Sequence, residues 1–228
     1  MTVTADRNAA PPGSALELLR EGTLARLAVS RPAGLHLTPL VYAISDDRLW
    51  VTTSRSSVKA RAWSGDPRVG GLVRTGTGSV SFVGTVTRHD VLDPDTWLET
   101  LPRAGSVLRA AAAFTRGNAR FFAGYAVDAR SIPLAWTPPG RVFAEIELTR
   151  GLVIEEGEVT SRWGRWTPGT GSDAGAAGAF RALRSRRSPF DGLPSEVAER
   201  LGSRGRGALA LRGGSRGAPL VLPVSWRV

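Results

Sequence analysis

Residues Asp46-Asp47-Arg48-Leu49-Trp50-Val51-Thr52-Thr53-Ser54-Arg55-Ser56-Ser57-Val58-Lys59-Ala60-Arg61-Ala62-Trp63-Ser64-Gly65-Asp66-Pro67-Arg68-Val69 decide the reading of this chain. An Asp-Asp turn leads into a short apolar, β-prone run, Leu49 to Thr53. The run ends in a hydroxyl-rich loop, Thr52 to Ser57. Ser56 or Ser57 is placed to cap a helix that carries Lys59 and Arg61. Asp66-Pro67 stops that helix, because the residue before a proline is pushed out of the helical region, and Arg68-Val69 opens another strand. A helix start offers free N–H groups and a partial positive charge. The hydroxyls add donors, and Lys59 and Arg61 add full charges, so the stretch suits an anion such as a phosphate. The competing reading is a capped surface helix with ordinary solvated basic residues.

Lys59 is the only lysine among 30 basic residues. A chain that uses Arg wherever a plain surface charge will do has kept one compact, strongly hydrated ammonium here. Chance survival of a single Lys is the alternative.

The order strand, Thr/Ser loop, Ser-x-Lys-x-Arg, Asp-Pro-Arg-Val, strand resembles the flavin-binding split-barrel superfamily. That superfamily includes pyridoxamine 5'-phosphate oxidase-like proteins and the reductases that use deazaflavin coenzyme F420. The resemblance runs from about Gly22-Thr23-Leu24-Ala25 to about Val86 and is most specific through residues 50–69. It implies a β-rich α+β fold, an antiparallel split β-barrel with peripheral helices and a C-terminal extension. It also implies that Thr52, Thr53, Ser54, Ser57 and Lys59 hold a cofactor phosphate, with Arg61 nearby. The cofactor ring would pack on the strand before the loop, around Pro39, Leu40, Val41 and Tyr42. Family members often carry a second basic residue just before the Lys. Here Val58 stands in that place, which leaves the extra charge to Arg55 or Arg61.

The resemblance implies FMN or F420 as cofactor, a homodimer with the cofactor at its interface, and a small-molecule substrate. F420 adds an anionic oligoglutamate tail, which a basic surface would favour. Haem is a third family ligand, with His36 or His89 as axial candidates. The oxidase that makes pyridoxal phosphate is disfavoured, since its C-terminal Arg and Trp pattern is reduced here to Trp226-Arg227. No residue stands out as a catalytic acid or base. Tyr42 and His36 are candidates by position, as alternation puts both on one strand face. A second class of function is a split barrel without cofactor that acts as a binding or regulatory module.

Composition sets further bounds. The 228 residues contain no Cys, which excludes disulfides and thiol catalysis. Two His make an all-protein zinc site a poor expectation. The net charge of +10 suggests anionic partners. Nucleic acid is disfavoured because the basic residues are dispersed and no nucleic-acid-binding motif is present. No apolar targeting segment opens the chain and no run approaches the ~18 apolar residues of a membrane helix. A soluble cytoplasmic protein is expected.

Residues 1–13 read as a mobile tail, 14–166 as the split-barrel domain, 167–179 as a Gly/Ala/Ser linker, and 180–228 as a basic extension. Ser14 is placed to cap a helix, Ala15 to Glu21. Strands are expected at Thr23–Ser30, Leu35–Ile44, Leu49–Thr53, Val69–Arg74 and Ser79–Arg88, with Pro39 marking an edge or bulge. A helical stretch follows from Asp93 to about Tyr125. Trp97, Leu98 and Leu101 form an apolar patch there, and Val107, Leu108, Ala111 and Phe114 follow at helical spacing. Phe121, Phe122 and Tyr125 read as core or dimer face. Arg141–Leu148 is the last barrel strand, expected to pair with Gly151–Glu155. Trp163 and Trp166, interleaved with Arg, close the barrel mouth or a subunit contact, or stack on an aromatic ligand. Residues 180–217 hold nine Arg against three acids, a net +6. Two final strands flank Gly213-Gly214-Ser215. This hairpin echoes the first one: Gly207-Ala208-Leu209-Ala210-Leu211 and Leu222-Pro223-Val224 set against Thr23-Leu24-Ala25-Arg26-Leu27 and Thr38-Pro39-Leu40-Val41. No second phosphate loop follows it in the sequence, so a ligand would be served by the first loop or by its copy in a partner subunit.

Overall fold

Leu27, Val29, Val51, Val69, Val73, Val80, Phe82 and Ile146 are fully shielded from solvent. Each occupies an alternate position on its strand, so one side of every strand converges on a single interior. The computed structural model describes residues 5–6, 10–90, 92–119, 140–166, 195–212 and 217–227. Its elements are β1 (Ala5–Asp6), α1 (Gly13–Glu21), β2 (Leu24–Arg31), β3 (Gly34–Ser45), β4 (Arg48–Ser54), α2 (Val58–Gly65), β5 (Arg68–Arg74) and β6 (Ser79–His89). Then come α3 (Trp97–Thr100) between two 3-10 turns, α4 (Ala104–Gly117), β7 (Arg141–Glu155), β8 (Glu158–Trp163), α5 (Ser195–Leu201), β9 (Arg204–Arg212) and β10 (Pro219–Arg227).

Neighbouring strands follow the order β7-β4-β3-β2-β5-β6, and β6 pairs back on β7 to close a six-stranded antiparallel barrel. β8 extends the sheet beyond β7, and β1 pairs with β8 in parallel. Part of the expected N-terminal tail is therefore a strand; the rest of residues 1–9 lies outside the described residues, as does the linker 167–179.

Local chemistry explains the turns. Asp46 and Asp47 both adopt positive φ, 52° and 56°, between Ser45 and Arg48, which pair across the hairpin. That is a two-residue hairpin of the primed type, whose twist matches the strands it joins. Glu156 and Gly157 repeat the device between β7 and β8. Helix α1 places Ala15, Leu16, Leu18 and Leu19 in the barrel core. Its N-cap is Pro12, with no side-chain cap bond, so Ser14 lies inside the helix and does not cap it.

β7 departs from the sequence reading. Arg141–Leu148 and Gly151–Glu155 do not pair with each other; they are one 15-residue strand. Its first part pairs with β4, its last part with β8, and β6 runs along both. A register shift opposite Val83/Gly84 lets the strand bend from the barrel into the extension. Gly151 is required there, since a Cβ would lie 2.2 Å from the Trp163 ring.

The helical region also differs. Trp97, Leu98 and Leu101 are 48%, 85% and 71% exposed. On α4 the buried face is Ala110 and Phe114, while Leu108 and Ala111 face solvent. Phe121, Phe122 and Tyr125 lie outside the described residues.

The C-terminal hairpin β9–β10 packs on the outer side of the barrel in its own chain. Val221 joins Ala28 and Leu72 in a second apolar cluster, flanked by Leu37, Ala208 and Ala210. Small residues on the barrel's outer face permit this approach. Ser81 donates its hydroxyl to the Val221 carbonyl, and a Cβ at Gly70 would lie 2.4 Å from the Pro219 oxygen. Among the described residues, no helix is long and apolar enough to cross a membrane.

Candidate functional site

The barrel parts between β3 and β4. Their ladder runs only from Tyr42↔Val51 to Ser45↔Arg48. Beyond it, β3 continues on β2 alone back to Gly34, while Thr52, Thr53 and Ser54 pair with β7. Pro39 sits on this one-sided stretch, opposite Arg26. Its missing N–H is tolerated there because one flank of β3 is free of a ladder. The split leaves the hydroxyl-rich loop and the start of α2 facing the outer half of β3.

Within the loop, the hydroxyls mostly build the loop itself. Thr53 Oγ1 donates to Ser57 Oγ at 3.1 Å, and Ser57 Oγ accepts from the Ala60 N–H as the N-cap of α2. Ser54 and Ser56 share a hydroxyl hydrogen bond at 3.0 Å. Thr52 Oγ1 donates to the Val142 carbonyl and accepts from Arg141 Nε at 2.9 Å, and Arg141 Nη2 reaches the Thr52 carbonyl. Arg141, 89 residues downstream, is the member of the site that sequence reading missed; it carries no local motif and is brought in by the β4–β7 ladder.

Lys59 differs from its neighbours. It is partly buried and has no hydrogen-bond or ion-pair partner among the described residues. Burial, and then the nearby Arg141 guanidinium, hold its pKa below the ordinary lysine value. The imidazole of His36 is likewise depressed by burial, then by the charges of Lys59 and Arg31. Lys59 and Arg141 thus form an electropositive pair whose charges repel each other and disfavour a charge on His36, which is the arrangement a bound anion relieves. The two proposed donors for the missing charge at Val58 are otherwise occupied. Arg55 pairs with buried Asp90 at 2.6 Å, and Arg61 bonds the Ser56 carbonyl.

On β3, Pro39 is exposed and Leu40 and Val41 are partly buried. Leu40 packs against the barrel core, so Pro39 and Val41 hold the outward positions. Tyr42 is turned into the core. Its hydroxyl donates to the Leu19 carbonyl, and burial raises its pKa well above the usual tyrosine range. Tyr42 and His36 share a face, but six strand residues separate them by about 20 Å, so they do not form one site. His89 is also unavailable as an axial ligand. It is buried against Trp50, with Nδ1 at 3.0 Å from Thr100 Oγ1 and Nε2 at 3.3 Å from Glu145 Oε2. Glu145 in turn holds Arg48 at 2.7 Å. Trp163 is buried in the core, and Trp166 lies under Arg150 with its indole N–H on the Trp163 carbonyl. Neither offers a stacking face at the barrel split. Among the described residues no group of three or more His, Asp and Glu could hold a metal ion.

No known family profile and no curated protein matches the chain. Solved structures show a distant likeness to it. A pyridoxamine 5'-phosphate oxidase-related, FMN-binding protein from Nostoc punctiforme is 17% identical, with a TM-score of 0.45 over 64% of this chain and 85% of that one. A FAD-binding protein from Mesorhizobium loti is 21% identical, with a TM-score of 0.42 over 59% of this chain and 87% of that one. An F420 reductase is 17% identical, with a TM-score of 0.41 over 61% of this chain and 96% of that one. At these identities and TM-scores the likeness carries neither fold nor function, which rest on this chain's own strands and residues.

Proposed function

We propose that this protein is a split-barrel oxidoreductase that binds FMN or F420 and holds the cofactor phosphate at the start of α2. The observation that carries the reading is Lys59, a partly buried ammonium without a partner beside Arg141. The backbone N–H groups of Val58 and Lys59, at the first helical positions, add donors on the same end of α2. Thr52, Thr53 and Ser57 act as the frame that fixes this end, and Ser54 and Ser56 supply hydroxyls at its rim. The outer stretch of β3 at Pro39 and Val41 offers an apolar surface for the ring.

When bound, the cofactor would supply hydride-transfer chemistry; the protein binds, orients and shields it. His36, whose pKa is lowered by burial and then by the Lys59 and Arg31 charges, lies within electrostatic reach of Lys59 and is the candidate to share a proton with a ligand. A homodimer with the cofactor at its interface, and a small-molecule substrate, complete the reading.

The test is an ultraviolet–visible spectrum of the purified chain, followed by titration with FMN and then F420. A red-shifted, saturable chromophore with one of the two supports the reading and names the cofactor. A folded protein that binds neither removes the enzyme and leaves a split barrel serving as a binding module.

A further inference from the structure

A cavity of about 490 Å³ lies against α2, with Ser30, Arg31, Val58, Arg61, Asp66 and Arg212 among its lining residues. Three separate parts of the chain build it: the end of β2, one face of α2, and the last residue of β9. Its volume suits a small ligand. Thr52, Thr53, Ser54, Ser57 and Lys59 do not line it, although Val58 and Arg61 of the same helix do, so it adjoins the proposed phosphate end of α2.

Three arginines, Arg31, Arg61 and Arg212, line this space. Arg61 is tied to the Ser56 carbonyl, but Arg31 and Arg212 have no hydrogen-bond or ion-pair partner among the described residues. The single acid, Asp66, is already engaged. Arg68 donates Nε to Oδ1 at 2.7 Å and Nη2 to Oδ2 at 2.9 Å, a bidentate pair that offsets its charge. Ser30, at the end of β2, is 7% exposed, and its Oγ is shielded from solvent without a hydrogen-bond partner among the described residues. Planar guanidinium forks match the oxygens of phosphate and carboxylate groups.

We propose that this cavity is a subsite for a multiply charged oxyanion, and that the C-terminal hairpin completes it through Arg212. The barrel supplies Ser30, Arg31 and Arg61; docking of β9 adds the last charge. Occupancy and hairpin docking are therefore linked, each favouring the other.

The test is isothermal titration of the full chain at constant ionic strength, with inorganic pyrophosphate and, separately, citrate as probes. The variants are Arg212→Gln, Arg31→Gln and Lys59→Ala, with Arg204→Gln as a control for net charge on the same exposed strand. One probe binds at one equivalent, and Arg212→Gln and Arg31→Gln each weaken it by about tenfold, the usual order for a charged hydrogen bond. Arg204→Gln leaves it within about twofold, and binding persists in Lys59→Ala. Tighter pyrophosphate identifies a phosphate ligand, and tighter citrate a carboxylate one. The proposal is overturned if neither probe binds, if Arg204→Gln costs as much as Arg212→Gln, or if Lys59→Ala abolishes binding and so places the anion on the phosphate loop.

Discussion

Replacing Lys59 with alanine is expected to move cofactor affinity and folding stability in opposite directions. Burial and the neighbouring Arg141 lower the Lys59 pKa in the folded chain. A lowered lysine pKa means the folded state holds that proton less well than the unfolded chain does. The charge therefore opposes folding at every pH below its folded pKa, neutral pH included, and the opposition fades as pH rises past the ordinary lysine value. Removing the charge relieves that opposition, while the four-carbon stem gives up some packing against the loop. Stability of the ligand-free protein should thus be unchanged or slightly higher. A phosphate placed at Val58 and Lys59 would lose one charge-assisted hydrogen bond, about 1.5–3 kcal/mol, which is about tenfold to 150-fold in Kd. The assay pairs thermal melts of the ligand-free protein with fluorescence titration of FMN or F420. Affinity within twofold of the parent, in a folded variant, would refute the assignment of Lys59 to the phosphate. A melt lowered by many degrees would show that Lys59 holds the loop together instead.

Three further outcomes are expected. Gly70→Val places a side chain where Pro219 O lies 2.4 Å from a Cβ, so β10 must shift; overpacking of this kind costs about 1–3 kcal/mol, and hydrogen exchange should accelerate at residues 219–227 while the barrel strands keep their protection. In Glu145→Gln, Arg48 and His89 lose a buried anion; burial alone would raise the Glu145 pKa, but the His89 hydrogen bond and the Arg48 charge together hold it below 4.5. Its stabilisation is therefore present above that value and is lost as pH falls through the folded pKa, so the variant should be less stable by about 2 kcal/mol at neutral pH and its urea midpoint should depend less on pH in the acid range. Thr52→Val keeps the shape and removes the oxygen that Arg141 Nε donates to, while Arg141 Nη2 keeps the Thr52 carbonyl; a loss of about 1 kcal/mol in stability is expected, with cofactor affinity altered because one of the bonds that orient Arg141 is lost, and an unchanged affinity would assign Arg141 to the scaffold alone.

What could be read from sequence were the features that depend on near neighbours. Alternation of apolar residues located all six barrel strands, the last of them only in its first part, because a period of two survives whatever the strand later pairs with. The Asp46-Asp47 turn, the Ser57 cap and the helix stop at Asp66-Pro67 were equally legible, since each is set within four residues. These fixed points were enough to mark Thr52–Lys59 as a candidate anion-binding loop. The rest was settled by contacts between distant parts of the chain. That Thr52, Thr53 and Ser57 spend their hydroxyls on the frame, leaving Lys59 unpartnered, depends on Arg141 arriving along β7. That Tyr42 turns inward depends on where α1 lays Leu19. The single course of β7 through barrel and extension depends on β6 spanning both, and no local signal distinguishes it from two strands. Gly70 and Ser81 have no meaning until β10 lies across them. Periodicity assigns a residue to one of two faces, but only the closed barrel decides which face is inside, and only the docked hairpin decides what covers the other.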